Sequence, residues 1–316
     1  MGITARDLAP DDAEALAALM MRIEVDHPTG FCLDAGEVLE LMRELPRAVL
    51  EGAWDGDTMV AWTATLPNDA SDAGQRIHLN GDVAPDRLGE GIGTLMLGRA
   101  LERGREIHRA EAPGTPVRFA SQALAGRDDQ GALLLDAGMR SGRHGFLMVA
   151  DLTGEPPRPD LPGDLPVTTF DPANAEELRQ AHNTAFADYP DGTDIGVDIW
   201  TALMIKAEHR RHELSMIARD PTGAVASYVF AHEYAVPPSG GPGPEVYVPY
   251  IGTLPAHRGR GLATGLLSRV LHASREQGYA AASLNVDTHN VTGALGIYER
   301  AGFAEAYRQD FYLLDE

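Results

Sequence analysis

A short glycine-rich pattern occurs twice in this chain, and each copy separates a strand-like run from a long amphipathic helix. The first copy is Leu88–Gly93 and the second is Arg258–Ala263. Glycines at such a junction leave backbone N–H groups free at the positive end of the helix, where they bind anions such as a pyrophosphate. The alternative is a tight turn with solvated arginines. Because Ala137–Met139 and Ala301–Phe303 also correspond, we predict two copies of one α/β unit.

The domain organisation follows from the length and from one proline-rich stretch. A chain of 316 residues suits two domains of ordinary size. The segment from Gly154 to Pro166 cannot hold a regular element, since proline removes hydrogen-bond donors and restricts its neighbours. We therefore predict a first domain at residues 1–153, a linker at 154–166 and a second domain at 167–316.

Composition excludes several classes of function. The net charge of -21 argues against nucleic acid, because nucleic-acid-binding proteins neutralise phosphates with Lys and Arg. No apolar run has the length of a membrane span, and the first residues are too acidic for a secretion signal. The single cysteine, Cys32, cannot form an internal disulfide. We expect a cytoplasmic protein without membrane or nucleic-acid partners, as a monomer or a homodimer.

The second glycine loop carries a recognisable family motif. Arg258–Ala263 reads Arg-Gly-Arg-Gly-Leu-Ala and resembles motif A of the GNAT superfamily of acyl-CoA-dependent N-acyltransferases. That motif consists of Arg or Gln, two residues of any type, a Gly, one residue of any type, and finally Gly or Ala. Asn290 and the segment Tyr298–Phe303 resemble the second cofactor-side motif of the same family. The repeat over nearly the whole chain is similar to its tandem, two-domain members.

The resemblance implies a fold and a cofactor. The fold class is α/β (α+β), with two tandem GNAT-like domains. Each domain is a mixed, mostly antiparallel sheet flanked by helices, with a splay between two central parallel strands. Acetyl-CoA, the acyl donor, would lie in the splay without any metal. Backbone groups of Ile251, Gly252 and Thr253 would pair with its pantetheine arm. Asn290 would contact the cofactor, act as a helix N-cap, or do both. The predicted pyrophosphate-binding residues are Arg258, Gly259, Arg260, Gly261, Leu262, Ala263 and Thr264.

Direct acyl transfer needs a neutral amine, and a lysine-like amine has a pKa near ~10.4. A positioned general base is therefore worth seeking. The family often places a Glu where this chain has Tyr247, and Glu245 lies on the same face of the strand two residues earlier. Glu245 could act directly, through water or by holding a cationic substrate, or it is only an exposed carboxylate. Tyr247 is an alternative polar group, and packing is its simpler role.

The resemblance also implies an acid for the leaving thiolate. Tyr298 occupies the position at which the family usually places that acid. As a bare helix aromatic it would instead belong to the core.

The first copy of the loop has lost its charges. Leu88 aligns with Arg258, and Glu90 aligns with Arg260. A carboxylate at this position would repel a pyrophosphate. We therefore interpret the first domain as a degenerate copy, serving as a structural or substrate-covering partner.

The working hypothesis is an acyl-CoA-dependent N-acetyltransferase. Its C-terminal domain would move an acetyl group from acetyl-CoA to the primary amine of a small molecule by direct transfer. The alternatives are an acetyltransferase for protein or peptide amines, and a non-catalytic acyl-CoA-binding sensor.

Overall fold

The computed structural model describes residues 2–27, 32–71, 74–158, 161, 165–188, 194–287 and 294–316. They form two compact units, of which unit 1 comprises residues 1–144 and 309–316 and unit 2 comprises residues 145–308. None of the helices in the described ranges is both long and apolar enough to cross a membrane.

Unit 1 is a mixed sheet with helices. Its helices are α1 (Ala13–Asp26), α2 (Ala35–Glu44), α3 (Ile92–Glu111) and α4 (Asp128–Asp136). Its strands are β1 (Thr4–Asp7), β2 (Val49–Asp55), β3 (Thr58–Pro67), β4 (Gln75–Val83), β5 (Val117–Leu124) and the end of β13 (Ala304–Asp315). The strand order is β1-β2-β3-β4-β5-β13, and only the β4–β5 pair is parallel. That pairing stops at His78, after which β4 and β5 diverge.

Unit 2 repeats this plan. Its helices are α5 (Ala175–Phe186), α6 (Val197–Thr201), α7 (Leu262–Glu276) and α8 (Ala294–Arg300). Its strands are the end of β6 (Arg140–Asp151), then β7 (Val167–Thr169), β8 (Met216–Arg219), β9 (Val225–Val229), β10 (Glu245–Tyr247), β11 (Ile251–Thr253), β12 (Ala281–Asp287) and the start of β13. Strand β12 lies between β6 and β10, while β11, β9, β8 and β7 follow one another in antiparallel order.

The parallel strand pairs confirm the predicted repeat. Gln75 lies opposite Val117 in unit 1, and Glu245 lies opposite Ala281 in unit 2. In unit 1 strand β4 leads to a short 3-10 turn, a glycine loop and a long helix, and in unit 2 strand β10 leads through β11 to the same three features. The predicted fold, with a splay between two central parallel strands in each copy, is therefore confirmed.

The compact units differ from the two halves predicted from the repeat. Residues Gln309–Asp315 of β13 pair with β5 in unit 1. Residues 145–151 of β6 pair with β12 in unit 2. Each sheet is thus completed by a strand from the other half of the chain, because strand pairing does not have to follow the order of the repeat. The division at the linker 154–166 stays a prediction.

The core of unit 2 shows to which face of the sheet each side chain of strand β10 points. Val246 and Val248 belong to one buried cluster with the apolar face of α7. Helix α7 contributes four large aliphatic residues to it, namely Leu266, Leu267, Val270 and Leu271. Burying each such side chain contributes about 1.5–3 kcal/mol. Since side chains alternate along a strand, Glu245 and Tyr247 point to the opposite face of the sheet.

Candidate active site

The splay in unit 2 begins at a break in the strand Glu245–Thr253. Its first part, β10, pairs with β12, and the last link is the N–H of Val248 donating to the carbonyl of Ser283 at 2.8 Å. Its second part, β11, pairs with β9, and within the described residues it does not pair with β12. Tyr247 lies opposite His232 and Ile251 lies opposite Val229, so this strand has one residue more than its neighbour. The extra residue makes a β-bulge, which ends the pairing with β12 and opens the gap.

The glycine loop lies at the end of this strand. Gly259 and Gly261 have φ angles of +72° and +76°, a conformation that glycine adopts readily and other residues rarely do. Gly261 is the N-cap of α7, and no side chain caps that helix. The first N–H groups of a helix have no intrahelical partner, so those of Leu262, Ala263 and Thr264 are available to an anion.

The two arginines of the loop differ in their partners. Arg258 donates to the carbonyl of Ala185 at 2.9 Å, in the last turn of α5, and to the carboxylate of Asp188 at 3.0 Å, just after that helix ends. Its guanidinium would have to leave these partners to contact a pyrophosphate. Arg260 is exposed, and its described hydrogen-bond partner is Nδ1 of His257 at 3.2 Å. Arg260 is therefore the better placed cation for an incoming phosphate.

The strand residues predicted to bind the pantetheine arm lie in β11. Ile251, Gly252 and Thr253 pair with β9 along one edge, while their other edge faces the gap. Gly252 has a packing role as well, because a Cβ there would lie 2.3 Å from the ring of Tyr228. Tyr228 cannot yield, since it is fully buried and its hydroxyl is 2.8 Å from Nδ1 of His182.

We expect Gly252→Ala to destabilise unit 2 by about 1–3 kcal/mol, since the added methyl group overpacks a filled core. Urea unfolding followed by circular dichroism measures this change. Gly98→Ala, in the middle of α3, is the matched control because a Cβ there meets no atom within 4 Å. A Gly252→Ala variant as stable as the wild type would contradict the packing role.

Tyr298 lies on the α7 side of the sheet. It packs against the cluster that contains Val246 and Val248, and its ring is 6.3 Å from that of Phe303. Burial raises the pKa of Tyr298 to about 12, so its hydroxyl is protonated at neutral pH. Among the described residues the hydroxyl has no hydrogen-bond partner. This proton is therefore available for donation to a leaving group.

Glu245 and Tyr247 lie on the opposite face, where both are engaged. Glu245 is 2% exposed, and its carboxylate accepts hydrogen bonds from the hydroxyls of Ser239 and Ser283. The hydroxyl oxygen of Tyr247 accepts from Asn285 at 3.1 Å. Burial is the main cause that raises the pKa of Tyr247 to about 12, which makes it a proton donor rather than a base at neutral pH. The role of Glu245 as a base stays a prediction, and its carboxylate oxygens already have partners.

No sequence motif indicates His232, which lies on this face. His232 exchanges two backbone hydrogen bonds of 2.8 Å with Tyr247, so their side chains share a face. His209 lies beside it, with the ring centroids 4.7 Å apart, and stacks on Tyr234 at 4.5 Å. Only the alternation along the strand that follows Val229 could have indicated His232, and its register with Tyr247 depends on the bulge.

Unit 1 keeps the shape of the loop with different charges. Gly89 and Gly91 have φ angles of +79° and +80°. Glu90 accepts hydrogen bonds from Arg87 at 2.9–3.1 Å, and Arg87 also donates to Asp55 at 3.1 Å. A cavity of about 360 Å³ lies beside this loop. Its residues include Leu79, Val83, Met96, Asp82 and Arg127. The charge reversal at Glu90 is thus built into a local network of ion pairs.

The predicted cofactor residue Asn290 lies outside the described residues. Among the residues that the structure does describe, no group of three or more His, Cys, Asp or Glu side chains is arranged to hold a metal ion.

Known proteins resemble this chain in sequence and in structure. The model of the acetyltransferase (GNAT) family matches residues 175–303. A mycothiol acetyltransferase of Nocardia farcinica is 32% identical over 235 residues, which is 71% of this chain and 70% of that protein. The mycothiol acetyltransferase of Thermobispora bispora is 28% identical over 255 residues, or 79% of this chain and 78% of that one.

Two solved structures of acetyltransferases superpose on 99% of this chain. A GCN5-related N-acetyltransferase from Sphaerobacter thermophilus superposes with a TM-score of 0.75 at 25% identity, covering 99% of this chain and 95% of that one. A tandem GNAT protein from the clavulanic acid biosynthesis pathway has a TM-score of 0.76 at 17% identity, and the superposition covers 99% of this chain and 98% of that one. The latter likeness supports the tandem fold alone. The chain therefore belongs to the GNAT family and is an acyl-CoA-dependent acetyltransferase.

Proposed function

We propose that unit 2 transfers an acetyl group from acetyl-CoA directly to the primary amine of a small molecule. The observation that carries this proposal is the combination, in unit 2, of an open strand splay with an uncapped glycine loop that carries Arg260. The loop would hold the pyrophosphate, and β11 would pair with the pantetheine arm. The relatives named mycothiol acetyltransferases favour a small-molecule acceptor.

The residues of unit 2 supply the chemistry from both faces of the sheet. The amine nitrogen would attack the thioester carbonyl in the gap between β11 and β12. Tyr298, on the α7 face, would donate its proton to the leaving thiolate. The acceptor would enter from the other face, where Tyr247, His232 and Asn285 lie.

We expect Arg260→Glu to weaken the binding of CoA about tenfold or more, because a charge-assisted hydrogen bond to phosphate is replaced by repulsion. Isothermal titration calorimetry measures this loss, which should shrink at high salt. Arg269→Glu, an exposed position further along α7, changes the net charge equally and serves as the control. Equal affinities in Arg260→Glu and the wild type would remove Arg260 from the cofactor site.

Turnover separates the proposed function from its alternatives. Release of free CoA should be measured with acetyl-CoA and a panel of amino sugars, aminoglycoside-like amines, peptides and the acceptor that the mycothiol acetyltransferases use. Turnover with small amines supports the proposal, whereas turnover with peptides alone supports a protein acetyltransferase. Tight binding of acetyl-CoA without turnover of any amine would instead support an acyl-CoA sensor.

A further inference from the structure

Two histidines on the acceptor face of unit 2, His232 and His209, have no role in the mechanism proposed above. His232 is 3% exposed, and neither of its ring nitrogens has a hydrogen-bond partner among the described residues. Burying a polar atom without a partner costs about 1–3 kcal/mol. A buried polar group without a partner therefore needs an explanation, and a catalytic role is one such explanation.

The position of His232 fits a role at the reacting amine. His232 lies opposite Tyr247, and the bulge that opens the splay follows Tyr247 directly along the strand. The same face carries Glu245, whose carboxylate already accepts from Ser239 and Ser283. The imidazole of His232 therefore has unused hydrogen-bonding capacity on this face, next to the gap.

We propose that His232 is the proton acceptor for the attacking amine of the acceptor, with His209 packed beside it as a positioning residue. This inference rests on the proposed function of unit 2. As the N–C bond forms and the C–S bond breaks, the amine nitrogen gives one proton to the imidazole, and the thiolate takes one from Tyr298. His232 then releases its proton to solvent, and Tyr298 regains one.

The surroundings of His232 keep the imidazole in the receiving form. Burial lowers the pKa of His232 well below 6.5, and repulsion from His209 when it is protonated, from Arg210, from His212 when it is protonated, and from Arg211 lowers it further. The strand opposite contributes Tyr247, which is protonated and uncharged at neutral pH. The ring of Tyr234 is 6.2 Å away. His232 is therefore neutral at pH 7 and becomes protonated only in more acidic solution.

The test compares variants of His232 in the full-length protein with an amine that the wild type acetylates. His232→Gln should lower kcat/KM for the amine about a hundredfold. The affinity for acetyl-CoA, measured by calorimetry, should not change. The acid limb of the wild-type pH profile, which lies below pH 6.5, should be absent from the variant. His232→Ala should regain part of its activity when imidazole is added, which a purely structural role does not explain.

Two controls make the outcome decisive. His212→Gln alters a neighbouring histidine that packs on Phe170, 4.6 Å away, and should keep wild-type turnover. Glu245→Gln tests the competing base. Wild-type turnover in a folded His232→Gln, or loss only in Glu245→Gln, would overturn the inference. An inactive wild type across the amine panel would instead refute the proposed function, and the inference with it.

Discussion

Asp82→Ala is expected to destabilise unit 1 by about 3–5 kcal/mol, because it leaves the buried guanidinium of Arg127 without its main counter-charge. The two side chains are only 8% and 7% exposed. They form a bidentate pair with both N···O distances at 3.0 Å. A buried charge that loses its partner cannot recover its hydration, so the whole desolvation cost remains. Thermal and urea unfolding of the full-length protein measure the loss.

The neighbourhood of Arg127 supplies its own controls. Asp129 also contacts Arg127, at 3.1 Å, but its carboxylate is 47% exposed. Asp129→Ala should therefore cost no more than about 1 kcal/mol. Removing both charges, in Asp82→Ala with Arg127→Ala, should recover part of the stability lost in the single variant. If the Asp82 and Asp129 variants unfold alike, then burial does not set the strength of this pair.

Tyr298→Phe is expected to lower kcat about a hundredfold or more while leaving the affinity for acetyl-CoA unchanged. The variant keeps the ring that packs against Phe303 and removes only the hydroxyl. Because burial raises the pKa of Tyr298 to about 12, the wild-type hydroxyl is protonated throughout the neutral range. The loss should therefore be the same at every pH in that range. Release of free CoA under saturating amine and acetyl-CoA measures it.

A second tyrosine tests whether the effect is specific. Tyr312 lies in unit 1, and burial is the main cause that raises its pKa as well. Tyr312→Phe should keep the wild-type kcat. If Tyr298→Phe turns over as fast as the wild type, solvent protonates the thiolate and Tyr298 is a core residue.

The sequence predicts the parts of this protein that depend on local backbone chemistry. Glycines followed by an amphipathic helix specify the loop at Gly259 and Gly261, whose positive φ angles agree with that expectation. The same pattern at Gly89 and Gly91 predicts the repeat. Motif spacing places Tyr298 on a helix next to the core of unit 2. These predictions need only residues that are near one another along the chain.

Contacts between distant residues account for what the sequence does not predict. The guanidinium of Arg258 is held by Asp188 and by the carbonyl of Ala185, far away in the chain. Glu245 is held by Ser283 in the same way. The face that His232 occupies depends on a bulge, and one inserted residue reverses every later side chain of a strand. Neither composition nor periodicity records such a register.

The exchange of strands between the two halves has a consequence for synthesis of the protein on the ribosome. Strand β5 receives its second neighbour, β13, only when residues 309–315 have been made, although its first neighbour, β4, is made long before. Until then, its free edge can pair with another chain, which is the common route to aggregation. Residues 145–151 likewise wait for β12. We therefore expect the two halves to fold together late in translation, although the sequence repeats as if each half could fold alone.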